Sequence, residues 1–517
     1  MAFTMTVAEL IDADTSGLLA KHATWERVSL AEVAAILNGA PFDSALFSTT
    51  EGMPLVRIRD VTTGKTNTYY TGTYEDAYLV HQGDLLVGMD GDFNSGFWGP
   101  KTALLNQRVC KISPIEAFYD KRLLALTLPG YLAAINANTP SVTVKHLSSK
   151  TIGEIGLPLP PAAEQTRIVA KLEELLSDLD AGVAELKAAQ KKLAQYRQSL
   201  LKAAVEGALT AAWRTQHPST ETGAQLLERI LQERRARWEA RQLAKFKAQG
   251  KTPPKDWQKK YPEPVQPDTT GLPELPQGWV WASLDALIDD GPQNGLYLPA
   301  SQYGKGTPIL RIDDYQIGWH RPRVALNLVD ADEITAEVYA LNAGDIVINR
   351  VNSMTHLGKS LNISQTLDGA LFESNMMRLR LSERMNVNYV SFYLGSHAGR
   401  SRLICDAKWA VNQASINQQD VKKTPIPVSS QAEQGCISEV LLRQHEAIDL
   451  QAKAIEISLQ QSTAQRQNIL RAAFSGQLVP QDPHDEPASA LLERIRAERA
   501  AREAVKKPRG RKAKEAA

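Results

Sequence analysis

The segment GDIVINRVNSMTHLGKS, residues 344–360, ends a hydrophobic run with Arg350, Asn352 and Ser353 and carries Lys359 in the loop beyond. This is a set of hydrogen-bond donors and cations. Arg and Lys suit a guanine edge, Asn and Gln suit adenine, and Lys, Arg and Ser suit phosphate. An earlier segment, GDLLVGMDGDF (residues 83–93), has the same frame but different residues at the matching place. There Gly88, Met89 and Gly91 lead into Asp92, Asn94, Trp98 and Lys101, then Gln107 and Arg108. We expect Asn94, Gln107, Arg108, Arg350, Asn352 and Ser353 to face bases or backbone, and Lys101 and Lys359 to hold phosphates. The competing reading of each is a solvated turn. PLVRIRDV (residues 54–61) adds Arg57 and Arg59, two apart and so on one face of a strand. Its counterpart PILRIDDY (residues 308–315) keeps Arg311 and puts Asp313 in place of the other. An Arg present in both copies is expected to brace an internal carboxylate, which leaves Arg59 as the base contact.

No motif for catalysis stands beside these donors. The chain has no Asn/Asp-Pro-Pro-aromatic tetrapeptide of the kind adenine methyltransferases use. SMTHLGKS ends like a phosphate-binding loop, yet Ser353 stands where the first glycine of GxxxxGK[ST] belongs. The nine histidines are dispersed without HExxH, and Cys110, Cys405 and Cys436 lack metal-ligand spacing. The expectation is a protein with no catalytic residue and no metal, its cysteines buried as small residues.

With 517 residues the chain is long enough for two to four domains. It is 43% hydrophobic and 23% charged, with no apolar run of membrane-spanning length and no basic, signal-like start, so a cytoplasmic protein is expected. A formal net charge of +1 hides a basic ending, KKPRGRKAKEAA, which reads as disordered.

The elements that must hold the donors are written twice. QSLLKAAVEGAL (residues 198–209) returns as QNILRAAFSGQL (residues 467–478), 269 residues later, and the same offset carries Glu164, Gln165 and Ile168 onto Glu433, Gln434 and Ile437. An offset of 254 carries Trp25 onto Trp279 and Ser29 onto Ser283. The repeat is therefore of whole domains. Each half opens with Val/Leu/Ile-rich strands and then changes at GLPLPPAAEQTRI or TPIPVSSQAEQGCI, where proline suits an exit into a helix. Heptads follow, with Leu172, Leu179, Leu186, Leu193 and Leu200 in one position of the first helix and Leu441, Ile448, Ile455 and Ile469 in that of the second. In the second helix the position three residues later is polar, which makes the seam narrow. A stripe of this kind is buried most economically by its own copy, antiparallel. Charged segments sharing LLERI follow both helices, and a proline-rich linker separates the halves. The expected fold is two α/β domains alternating with two long helices in an antiparallel coiled coil, with an internal pseudo-two-fold repeat. Its parts are recognition domain 1 (1–157), helical spacer 1 (158–214), charged helix and linker (215–274), recognition domain 2 (275–424), helical spacer 2 (425–480), and charged helix with basic tail (481–517).

On LPLPPAAEQTRIV and the leucine heptads, LLKAAVEGALTAAWR, LPELPQGWVWASL, GDLLVGMDGDF, GDIVINRVNS with LGKS, and ASALLERIRAERAA, nearly the whole chain resembles the specificity (S) subunit of a Type I restriction–modification system. The resemblance implies that each recognition domain reads one half of an asymmetric, gapped duplex DNA site, while the helices set the gap. It also implies two methyltransferase (M) subunits carrying S-adenosylmethionine, two restriction (R) subunits carrying ATP and Mg, no catalysis on this chain, and no membrane. A coiled-coil protein-interaction scaffold without sequence-specific DNA binding would show the same heptads. Loops that diverge at matched sites of a twice-used domain favour two readers of different targets.

Overall fold

The computed structural model describes residues 5–139, 145–218, 221–315, 326–410 and 413–506, so residues 507–517 of the basic ending lie outside it. Two compact units result, one from Met1–Leu186 with Ile457–Ala517 and the other from Lys187–Glu456. Among the described residues no helix is long and apolar enough to cross a membrane.

In the first unit, GDLLVG forms the strand Leu85–Gly88, whose Leu85, Leu86 and Val87 are wholly buried, which explains a continuous rather than alternating apolar run. It lies in an antiparallel sheet ordered Ala34–Asn38, Val109–Pro114, Leu85–Gly88, Ser95–Phe97. A second sheet holds Met53–Val56 parallel to Ala103–Leu105, with Leu55 opposite Leu104. The second unit repeats both arrangements. Its antiparallel sheet runs Ile288–Asn294, Met376–Leu381, Ile346–Asn349, Ser360–Asn362, and Ile309 lies parallel to Leu371.

Several expectations need correction. The strand of PLVRIRDV stops at Val56, and Ile58–Asp60 is a 3-10 turn, because the Asp60 carboxylate accepts the Arg57 backbone N–H at 2.9 Å. Asp314 does the same for Arg311 at 2.8 Å. Gly156–Leu159 and Pro425–Val428 are strands, not mere exits. They pair with Glu26–Ser29 and Val280–Ser283 in two-stranded sheets, which tolerate the absent proline N–H. The expected boundary after residue 157 therefore falls inside a strand. Of the cysteines only Cys110 is buried; Cys405 is exposed and Cys436 half-buried.

The heptad segments form helices of 44 residues each, Ala162–Val205 and Gln431–Phe474. Within each unit their segments run antiparallel. In the first, Asp180 pairs with Arg466 while Glu164, one end of its helix, meets Gln481 beyond the end of the other. In the second, Arg197 pairs with Asp449 at 2.7 Å and Arg214 with Glu433 at 2.7 Å. All nine seam residues are buried or half-buried. The companion stripe is shared between the positions three and four residues on: Leu175, Ala189 and Ala203 are half-buried, Leu176 and Ala204 are buried and Val183 half-buried, while Gly182 and Tyr196 are exposed. A 3.6-residue turn brings i+4 closer to the starting face than i+3 does.

The LLERI echo also has a place. In the helix Ala488–Lys506, Leu491 and Ile495 join the core of the first unit, and in Gly223–Ala248, Leu226 and Ile230 join that of the second. The segment that closes the N-terminal unit thus comes from the end of the chain.

A buried carboxylate fastens each unit. Glu164, in the first turn of its helix, accepts the Trp25 indole N–H at 3.0 Å and the Gln481 amide. Glu433 accepts the Trp279 indole N–H at 2.9 Å, the Thr210 hydroxyl at 2.7 Å, and Arg214 through both Nε and Nη2. Burial pushes the Glu164 carboxyl above its ordinary 4.5, against the pull of the Trp25 and Gln481 hydrogen bonds. A carboxyl raised in the folded state holds more protons there than in the unfolded chain, so this group's contribution to stability falls as pH rises from 4.5 through the folded value. Glu164→Gln, which keeps an acceptor, should therefore gain in melting temperature relative to the parent as pH rises from acid to neutral. Parallel pH profiles for the two would refute this. Glu164→Ala should cost about 1–3 kcal/mol by leaving the indole unpaired.

Candidate nucleic-acid interface

In the first domain three turns converge. The 3-10 turn after Met53–Val56 supplies Arg57 and Arg59, the turn after Leu85–Gly88 supplies Asp90 and Asn94, and the turn between Ala103–Leu105 and Val109–Pro114 supplies Asn106 and Arg108. Together they line a cleft of about 460 Å³. Of the residues expected from sequence, Arg59, Asn94 and Arg108 therefore meet in one place. Lys101 and Gln107 are exposed but lie outside the cleft lining.

The middle turn is held in a demanding conformation. Phe93 has φ of 49°, unusual for a bulky residue, and its ring is buried in the core. This anchors Asn94, whose Oδ1 is buried and has no hydrogen-bond partner among the described residues. Gly88 leaves the room beneath it, because a Cβ there would stand 2.9 Å from that oxygen and the Asn94 amide would have to shift. Arg108 and Asp90 form an ion pair at 3.4 Å, and His146 reaches the same carboxylate through Nδ1 at 2.6 Å. Arg59 is 70% exposed and only 3.9 Å from Asp60, a pair screened by water. Arg57, expected to brace a carboxylate, instead lies over the Phe47 ring at 5.7 Å.

The second domain differs. Arg311 fulfils the bracing expectation with Glu373 at 3.4 Å. Arg350 is half-buried; its Nη1 donates to the Ser374 carbonyl at 3.2 Å, so part of its donor capacity is internal. Asn352 lies on Val351–Asn352, the edge of a small sheet with Gln413–Ser415 and Lys408–Ala410. Its Oδ1 caps the Ser353 N–H at 2.8 Å, and the Ser353 hydroxyl bonds that of Thr355 at 3.0 Å.

Lys359 is a correction. It is 5% exposed, its ammonium donates to the Ile312 carbonyl at 2.5 Å and to the Tyr315 carbonyl, and it sits 4.2 Å from the Tyr315 ring centre. Burial pulls its pKa below the ordinary value, opposed by Asp313 and Asp314. A cation so enclosed ties a loop to a strand and does not reach a phosphate.

Sequence reasoning missed Asn106 and His146, whose roles depend on turns distant in the chain, and Trp409, which is 73% exposed on the small sheet beside exposed Lys408. An aromatic next to Lys in KWAVNQ was a readable signal for the last.

Two copies of one α/β frame, alternating with long helices and presenting different polar turns at matched places, define a paired recognition protein. Residues 22–189 match the family described as Type I restriction modification DNA specificity domain. The chain is 33% identical to the Type I restriction enzyme EcoBI specificity subunit of Escherichia coli, over 97% of this chain and 98% of that one. It is 25% identical to the EcoKI specificity subunit of Escherichia coli strain K12, over 72% and 70% of the two chains. A solved chain, described under "Structural basis underlying complex assembly and conformational transition of the type I R-M system", shares the fold with a TM-score of 0.56 and 17% identity, covering 88% of this chain and 98% of that one. The chain belongs to the specificity subunits of Type I restriction enzymes.

The placement of Lys359 yields a prediction. Lys359→Met should lower the stability of the second unit by about 1–3 kcal/mol, through loss of two buried acceptors' partner. The salt dependence of DNA binding should stay unchanged, where loss of a phosphate contact would reduce the slope by about one. Thermal unfolding and salt titrations distinguish the two results.

Proposed function

We propose that each α/β domain binds one half of an asymmetric, gapped duplex DNA site, and that the two long helices set the gap and dock the methyltransferase and restriction subunits. The observation that carries this is the repeated backbone frame with unlike side chains at matched turns: Arg59, Asn94 and Arg108 around the first cleft, against Asp313, Arg350 and Asn352 in the second domain. Identical frames give both halves one docking mode, and unlike turns give them different bases. In this reading the chain carries no catalysis and works in the cytoplasm, with two M subunits holding S-adenosylmethionine and two R subunits holding ATP and Mg. The solved relative's description, which concerns assembly of a type I system, supports the partner assignment.

Replacing residues 1–155 with the matching domain of a relative that keeps the tryptophan at position 25 should change one half of the methylated motif and leave the other intact. A change in both halves would end the modular reading. Deleting residues 186–192 together with 455–461 removes one heptad from each helix and shortens each by about 10 Å, roughly three base pairs at about 3.4 Å per step. Methylome sequencing should then show the same half-sites at a shorter gap, and an unchanged gap would refute the spacer role.

A further inference from the structure

The two domains use one arginine differently. Arg57 and Arg311 both open an Arg-x-x-Asp turn in which the Asp carboxylate accepts the Arg backbone N–H. Each guanidinium then lies over an aromatic ring, Phe47 at 5.7 Å and Tyr303 at 5.8 Å. What differs is one neighbour. Ala40 bridges to Asn106 in the first domain as Leu296 bridges to Glu373 in the second, and both bridges are parallel, so Asn106 and Glu373 occupy the same place. Glu373 is buried, pairs with Arg311 at 3.4 Å, and accepts the Ile312 N–H at 2.6 Å. Asn106 is neutral and turns its Oδ1 to the Gln107 N–H at 2.8 Å.

Arg57 is thus exposed on the rim of the first cleft and, among the described residues, makes no ion pair, whereas Arg108 is matched by Asp90 and Arg59 is loosely placed beside Asp60. A guanidinium held on a ring keeps its planar fork oriented, and that fork matches O6 and N7 of guanine. A freely swinging cation would suit a phosphate better. Resting on the half-site reading above, we propose that Arg57 is a specificity-determining residue that bonds a guanine in the half-site of the first domain, and that Glu373 withholds the matching Arg311 from DNA in the second.

The test is selection from a pool of random duplexes by the full-length chain assembled with its methyltransferase subunits. The parent is compared with Arg57→Lys, Asn106→Glu, Asn106→Gln and Arg311→Lys, each checked for an unchanged melting temperature. Arg57→Lys keeps the charge and loses the fork, and Asn106→Glu supplies the carboxylate found in the second domain. Both should weaken preference for the same guanine about tenfold or more, in the half of the motif that the residue 1–155 exchange alters. Asn106→Gln, as bulky as the glutamate but uncharged, should lose less of the guanine preference than Asn106→Glu, and Arg311→Lys should keep the parental motif. The proposal is overturned if Arg57→Lys or Asn106→Glu keeps the guanine preference, if either weakens selected and random duplexes alike, or if Asn106→Gln loses as much of the preference as Asn106→Glu. A parent that selects no two-part motif would instead remove the half-site reading, and this inference with it, before any variant is compared.

Discussion

Each unit depends on a carboxylate that has been taken out of water. A buried carboxylate is costly unless donors surround it, and Glu164 and Glu433 meet that need with an indole N–H and groups from the segment after the other helix. Both stand in the first turn of a long helix, where the helix dipole favours negative charge. One atom group therefore fixes three things: the start of the first strand pair, the start of the helix, and the return of a remote segment. Arg167 with Asp485 at 2.6 Å in the first unit and Arg214 over the Trp279 ring in the second strengthen the same knot. Because the returning segment of the first unit is the end of the chain, closure order and sequence order differ. The units are equivalent although one is continuous and the other is made of two pieces.

The knots explain how the turns could diverge. Hydrogen bonds to the backbone place each of these turns, as when Asp60 or Asp314 caps the preceding arginine, so the position of a guanidinium is inherited with the frame. The group beside it comes from a different turn, Asn106 in the first domain and Glu373 in the second. A change at one such residue alters what a turn offers without disturbing the strands beneath it, which are packed from residues such as Leu55, Leu104, Ile309 and Leu371 with no exposure.

The repeat, the strands and the long helices were legible because they rest on local pattern: buried apolar runs, heptads and matched offsets. The turns were not. Lys359 reads as a loop cation, yet its partners lie 44 and 47 residues away at Tyr315 and Ile312. Arg57 and Arg311 read alike, and only the pairing of Ala103–Leu105 beside Met53–Val56 shows that Asn106 stands in the first domain where Glu373 stands in the second. Proline in GLPL argued against a strand, but a two-stranded sheet leaves room for an unpaired position. The seam was found at its first position and only in part at its second, where Leu175, Ala189 and Ala203 are half-buried but Gly182 and Tyr196 are exposed, since a strict three-residue step overlooks the drift of a 3.6-residue helix.

That drift bears on how firmly the helices are registered. A seam of half-buried leucines is tolerant of sliding, because one leucine replaces another after seven residues. The charged pairs are not. A slip of one heptad would set Asp180 against Leu459 or Ala473 in place of Arg466, and Arg197 against Leu442 or Glu456 in place of Asp449. Every slip costs the Asp180 pair, and only one direction offers Arg197 another acid. Exposed pairs contribute little stability singly, but they penalise the wrong alignments of a seam that cannot choose for itself. For a helix pair proposed to set a gap, alignment matters more than strength, since a bond that is strong in two registers would specify two gaps.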